Sequence, residues 1–199
     1  MSADASALQP SDAQLVEKVM GGERSFFDEL ISRHQRKAHS VSYRLLGNSH
    51  DAAEVTQEAF LKSYQSIKTL KNPERFGGWL MRIVSNLSLN RRRSRRKSMQ
   101  LPVDDVFGGN STSADHPGTG AAEDPYEQLA GKEMEELVRA AIEKLPEKQR
   151  LAIEMFTVEK MPQKDVAVAM QCSVEAVKWH VFEGRRRLRE MLKDLLAEQ

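Results

Sequence analysis

Asp51, Glu54 and Glu58 recur at spacings of three and four in "HDAAEVTQEAFLKSY", so on a helix they share one face. Carboxylates grouped in this way can work as a general acid and base, but that chemistry needs a pocket, a perturbed pKa and convergent partners. No stretch of the chain supplies them. Two readings remain: a solvated helix face, or an interface where the acids and Gln57 meet a basic partner and a neighbouring apolar side chain such as Leu61 supplies the buried centre.

A second group is basic. "NLSLNRRRSRRKS" carries six cations in the seven positions Arg91 to Lys97, in a chain whose net charge is only +1. Such a run fits a helix C-terminus, where cations meet the negative end of the dipole. It also fits a track for phosphates, which depends on a local patch rather than on total charge. Phe76 and Trp79 lie just upstream, and aromatics beside cations are how single strands are held, although each is equally suited to a core.

Other chemistry is poorly served. Cys172 is the single cysteine, so no internal disulfide or cysteine zinc cage can form, and it reads as a small buried residue. The histidines show no HxxxH or HExxH spacing, and no dinucleotide fingerprint, P-loop or GxSxG stretch occurs. Neither a cofactor nor a metal is expected. No apolar run is long enough to span a bilayer, and "MSADASALQPSDAQ" lacks the basic start and apolar core of a signal peptide, which places the chain in the cytoplasm.

The elements that would position these groups are helical. Phe26, Phe27, Leu30 and Ile31 follow helical spacing, as do Ala38, Val41 and Leu45, and Gly47 ends that helix while Asn48 or Ser49 caps the next. On the third helix Phe60, Tyr64 and Ile67 mark a buried face distinct from the acidic one. After "KTLKNPERFGG", Phe76, Leu80, Val84 and Leu87 carry a fourth helix into the arginine run. Between Lys97 and Lys132 there is no Lys or Arg, while acids, Pro and Gly accumulate, a composition that cannot offset its ordering entropy and reads as a linker.

Beyond it, "PEKQRLAIEMF" and "MPQKDVAVAMQCSVEAVKWHVFEGRRRLREMLKDLL" give a helix, then a short helix, a tight "QCS" and a longer helix capped by Ser173. Val174, Val177, Val181 and Leu188 bury one side of the last helix, and Lys178, Phe182, Arg185, Arg186 and Arg189 share the other. This is the pattern of a helix-turn-helix with Glu175, Lys178, Trp179 and Phe182 near base edges, or of a plain hairpin with a basic outer face.

In this order the parts resemble the bacterial sigma factors of the extracytoplasmic-function (ECF) type, the smallest group of the sigma-70 family, which keep only sigma domains two and four. "DAQLVEKVMGGERSFFDELISRH", "HDAAEVTQEAFLKSY", "FGGWLMRIVSNLSLNRRRSRRK", "AIEKLPEKQRLAIEMF" and "VEAVKWHVFEGRRRLREML" carry the likeness, from Asp12 to about Leu192 apart from the linker. It implies an all-α fold: a four-helix sigma domain two at 12–98, a flexible acidic linker at 99–124, and a helix-turn-helix sigma domain four at 125–196.

It also implies a protein with no reaction of its own, one that joins core RNA polymerase and directs it to promoters. Asp51, Glu54, Gln57, Glu58 and Leu61 would meet the polymerase clamp. The loop from Leu70 to Gly78 would capture a flipped base at the minus ten element, with Arg75, Phe76, Trp79, Arg82, Asn86, Asn90, Arg92, Arg93 and Arg96 along the opened DNA. Ser173, Glu175, Lys178, Trp179, Phe182, Glu183, Arg185 and Arg186 would face the minus thirty-five element. Expected partners are core RNA polymerase, promoter DNA and an anti-sigma factor acting in a stress or envelope response, with the free chain a monomer, no metal and no membrane insertion. A stand-alone helix-turn-helix regulator is the competing reading, and it leaves the acidic stripe without a task. Four positions depart from the family's habit: Gln171 for a usual Gly, Trp179 for a small residue, Glu183 for a basic one and Asn90 for Asp.

Overall fold

The computed structural model describes residues 10–100 and 125–197, with side chains described over 10–95 and 134–193. Every regular element among them is helical. The expected linker, beyond residue 100, lies outside the described residues, as does the Arg96 side chain.

The N-terminal bundle comprises α1 (Asp12–Met20), α2 (Phe26–Leu46), α3 (Ser49–Ser66) and α4 (Phe76–Gln100), with short 3-10 turns at Ile67–Thr69 and Pro73–Arg75. Local chemistry sets its boundaries. Ser11 and Gln14 form a reciprocal capping box that starts α1, Gly47 ends α2 at a left-handed φ of 68°, and the Asn48 side chain accepts from Asp51 N–H at 2.9 Å to start α3. Helical spacing then turns Leu15, Leu30, Val41, Ala59, Leu80 and Val84 into one core. Phe27 packs edge-on against Tyr64, ring centroids 5.0 Å apart, and so ties α2 to α3.

The C-terminal bundle comprises α5 (Pro125–Glu143), α6 (Glu147–Ala152), α7 (Gln163–Met170) and α8 (Val174–Ala197). The chain leaves α6 through a π-helical turn, Ile153–Val158, that periodicity did not foreshadow. Lys160 then takes a φ of 51°, and its neighbour Glu159 faces the other bundle. α7 and α8 meet through Gln171, Cys172 and Ser173, the expected helix-turn-helix. Gln171 sits in the left-handed region at φ 53°, and the Ser173 hydroxyl accepts from Ala176 N–H at 3.1 Å.

The two bundles pack on each other. α7 lies against α4, and a Cβ added to Gly78 would stand 2.8 Å from the Asp165 carbonyl oxygen, so only glycine allows this approach. Farther along the contact, Glu159 accepts from Ser40 at 2.5 Å and pairs with Arg44 at 3.3 Å, while Arg44 lies 3.8 Å from the buried Glu154. Burial pushes the Glu154 carboxyl up to about 7; Arg44 opposes this, and Glu159 and Glu143 add to it.

A carboxyl whose pKa is higher folded than unfolded stabilises the fold fully below its unfolded pKa, and that contribution is lost as pH rises through the folded value. Stability therefore falls between the ordinary value of 4.5 and about 7 on account of Glu154. Glu154→Gln should flatten this decline and leave the variant more stable at pH 8 by up to roughly 3 kcal/mol. Urea unfolding of both chains at pH 5 and pH 8 checks this; parallel pH dependence would refute it.

Candidate nucleic-acid interface and acidic docking face

On α3 the acidic stripe faces outward: Glu54, Gln57, Glu58 and Leu61 are exposed, and Asp51 is half-buried. Its two ends differ. Arg95 donates to Asp51 Oδ2 at 2.8 Å, Arg91 Nε lies 3.4 Å from Asp51 Oδ1, and a second Arg91 nitrogen pairs with Glu54. At the other end Glu58 pairs with Lys62 within its own helix at 2.7 Å, and Leu61 keeps 57% of its surface in solvent. His50, Asp51 and Glu54 also bring possible metal-ligand atoms within 4.8 Å of one another, a cluster that the HxxxH rule does not catch. Guanidinium groups already engage both carboxylates there.

On α4 the steps of three, four, four and three between Trp79, Arg82, Asn86, Asn90 and Arg93 keep these side chains on one helix face. Phe76, just before them, is wholly buried and meets the His34 ring edge-on at 5.3 Å; Trp79 is also buried. His34 is itself fixed by Asp12 at 2.6 Å, a contact that with Arg33 holds the Asp12 carboxyl below its ordinary range. Asn86 and Asn90 are exposed and Arg92 is half-buried.

The remaining cations of this face reach across to the C-terminal bundle. Arg75 donates to Asp165 at 3.5 Å and Arg93 to Glu147 at 2.9 Å. With its amide oxygen turned to the guanidinium, the orientation that donor and acceptor chemistry requires, Gln171 accepts from Arg82 Nε and Nη1 at 3.1 Å each. The aromatic part of the expected minus ten surface is thus buried in this arrangement, and three of its arginines are paired across the contact.

On α8 the outward face is open. Lys178, Trp179, Phe182, Arg185 and Arg186 are exposed, with Phe182 at 68% and Trp179 at 57%. Ser173 and Glu175 are exposed at its N-terminal end. Arg185 donates to the Thr157 hydroxyl at 3.3 Å. Hydrogen bonds from Arg186 and then Arg187 hold the Glu183 carboxyl down at about 2, so the acid spends its charge on its own helix.

Several residues that shape these surfaces were not among the expected site residues: Arg91 and Arg95 as braces on α3, Gly78 as the point of close approach, and Asp165, Glu147 and Gln171 as partners across the contact. Arg91 and Arg95 lie in the basic run and Gly78 closes the 70–78 loop, both visible in the sequence, whereas nothing in it singled out Asp165 or Glu147.

Comparison with known proteins identifies the two helical units. Residues 30–98 match the family described as Sigma-70 region 2, and residues 135–188 match Sigma-70, region 4. The chain is similar to the RNA polymerase sigma-H factor of Pseudomonas aeruginosa, 31% identical over 195 residues that cover 96% of this chain and 98% of that one. It is also similar to the ECF RNA polymerase sigma factor SigW of Bacillus subtilis, at 27% identity over 90% of this chain and 96% of SigW. Among solved structures, the sigma factor RpoE of Bartonella quintana, crystallised with the anti-sigma factor NepR, shares the fold with a TM-score of 0.63 at 22% identity, over 84% of this chain and 96% of that one. Two ordered helical units, each matching its own sigma region and spanned end to end by a relative above 30% identity, place this chain in the sigma-70 family, among the ECF sigma factors.

Proposed function

We propose that the chain binds core RNA polymerase through the acidic face of α3 and directs it to promoters whose minus ten element is held by the 70–78 loop and α4 and whose minus thirty-five element is read by α8. The observation that carries this reading is where the apolar surface lies. Of the four large apolar side chains exposed among the described residues, Leu61 stands in the acidic stripe, and Trp179 and Phe182 stand on the outer face of the helix-turn-helix; the fourth is Met134. An apolar centre rimmed by acids suits a basic partner helix, and aromatics rimmed by cations suit DNA. The chain acts without catalysis of its own, in the cytoplasm. By analogy with the Bartonella factor, an anti-sigma protein holds it until a stress signal arrives.

In this reading the free chain is closed and must open. Arg75, Arg82 and Arg93 cannot serve DNA while Asp165, Gln171 and Glu147 hold them. Each exposed pair is worth at most about 1 kcal/mol, so the pairs themselves yield readily to a competing partner.

Transcription with purified core polymerase on fragments of the source genome tests the whole proposal. Discrete start sites that depend on the protein are expected. Leu61→Ala and Glu58→Ala should reduce them by about tenfold or more, the scale of losing an apolar contact at an interface centre, while binding to the minus thirty-five duplex is kept. Sequence-specific binding without initiation would instead identify a stand-alone regulator.

Gln171→Gly separates closure from folding. It removes the left-handed penalty of about 1 kcal/mol and the bond to Arg82 together. Domain four should become no less stable, while promoter complexes at limiting polymerase increase about fivefold, the factor that ~1 kcal/mol represents. Unchanged complex formation would show that the Arg82 contact does not restrain the factor.

A further inference from the structure

Phe182 is the most exposed large apolar side chain among the described residues, and Trp179 stands three positions before it on the same outer face of α8. Neither ring is spare core: Val177, Val181 and Gly184 form the buried side of the helix. The His180 ring packs edge-on against the indole with centroids 5.0 Å apart. The site is therefore two aromatic rings presented to solvent on one helix face.

Its surroundings select an occupant. Lys178, Arg185, Arg186 and Arg189 are exposed around the pair. Glu183 is committed to Arg186 and Arg187, and Glu190 to Arg186 at 2.7 Å, which leaves Glu175 as the acid on this face with no such partner. A cationic rim of this kind fits phosphates. From Val174 to Phe182 the helix rises about 12 Å, close to the width of the DNA major groove, so both rings lie within the stretch a groove accepts.

What a phenyl ring can recognise there is narrow. It neither donates nor accepts a conventional hydrogen bond, and the paired bases of a duplex leave it no face to stack on. The one apolar group on the major-groove edges is the 5-methyl of thymine. Resting on the sigma-factor reading above, we infer that Phe182, with Trp179 beside it, determines minus thirty-five specificity by packing on thymine methyl groups. A promoter read by this chain carries thymine, on either strand, at the positions these rings cover.

Deoxyuridine tests the inference, since it keeps the pairing edge of thymine and lacks only the methyl. Full-length protein with core RNA polymerase is bound to the promoter found by transcription, with each thymine of the minus thirty-five element replaced in turn. At one or two positions affinity should fall about fourfold, the factor expected for one methyl-sized group withdrawn from an apolar contact. Phe182→Ala should weaken binding to the thymine promoter and be indifferent to deoxyuridine at those positions, whereas Phe182→Leu, which keeps an apolar contact, should remain sensitive. Because Phe182 points to solvent, circular dichroism of both variants should match that of the parent chain. Equal binding by the parent to every deoxyuridine promoter overturns the inference, and so does a full deoxyuridine effect in Phe182→Ala. Failure of the parent chain to form any promoter-specific complex overturns the sigma-factor reading itself and takes this inference with it.

Discussion

The backbone of α7 lies so close to α4 at Gly78 that a methyl group would strike the Asp165 carbonyl. That approach aligns the rest of the contact. Once the two helices touch there, Arg75 reaches Asp165 and Arg82 reaches Gln171, while Arg93 meets Glu147 farther along α4 and Arg44 meets Glu159 on α2. The face of α4 proposed for opened DNA is therefore the face the second domain uses to pack, and a single surface cannot serve both at once. The contact is steric at Gly78, apolar where the buried cores of the two bundles run together, and electrostatic at the paired arginines. Because the electrostatic part consists of partly exposed pairs, it weakens with salt and yields to a partner that offers phosphates.

The basic run at the end of α4 is divided rather than pooled. Arg91 and Arg95 turn back onto Asp51 and Glu54, Arg93 crosses to Glu147, and Arg92 is half-buried beside them. A nearly neutral protein can carry so dense a cluster because part of the charge is neutralised by its own acids. The same pairing joins the face proposed for polymerase docking to the face proposed for DNA, since Arg91 and Arg95 of α4 hold Asp51 and Glu54 of α3. On α8 the acids do comparable work, since Glu183 and Glu190 hold Arg186 and leave Lys178 and Arg189 to the rim.

Much of this was legible in the chain itself. Helical period identified Phe60, Tyr64 and Ile67 as facing inward and Glu54, Gln57, Glu58 and Leu61 as facing outward, because burial on one helix face is a local pattern. Gly47, Asn48 and Ser173 were readable as caps for the same reason: a terminus solves its hydrogen bonding within a few residues. The π-helical turn at Ile153–Val158 was not, since one extra residue per turn leaves no composition signal. Nor was the role of Gly78, whose small size matters to a helix far away in the chain, at Asp165. Phe76 and Trp79 were ambiguous between core and stacking platform, and burial resolves this for the closed arrangement alone.

Closure of the free chain, and its release by polymerase, is best tested by the distance between the domains. Spin labels at the exposed positions Glu23 and Lys193, with Cys172 replaced by Ser to remove the native thiol, report that distance by pulsed electron paramagnetic resonance. A closed chain gives one narrow distribution when free, a longer and different one with core RNA polymerase, and a broad one in Gly78→Ala, where the added methyl wedges α4 from α7. A broad distribution in the free parent chain, unchanged by Gly78→Ala, would contradict closure and return the minus ten face to solvent.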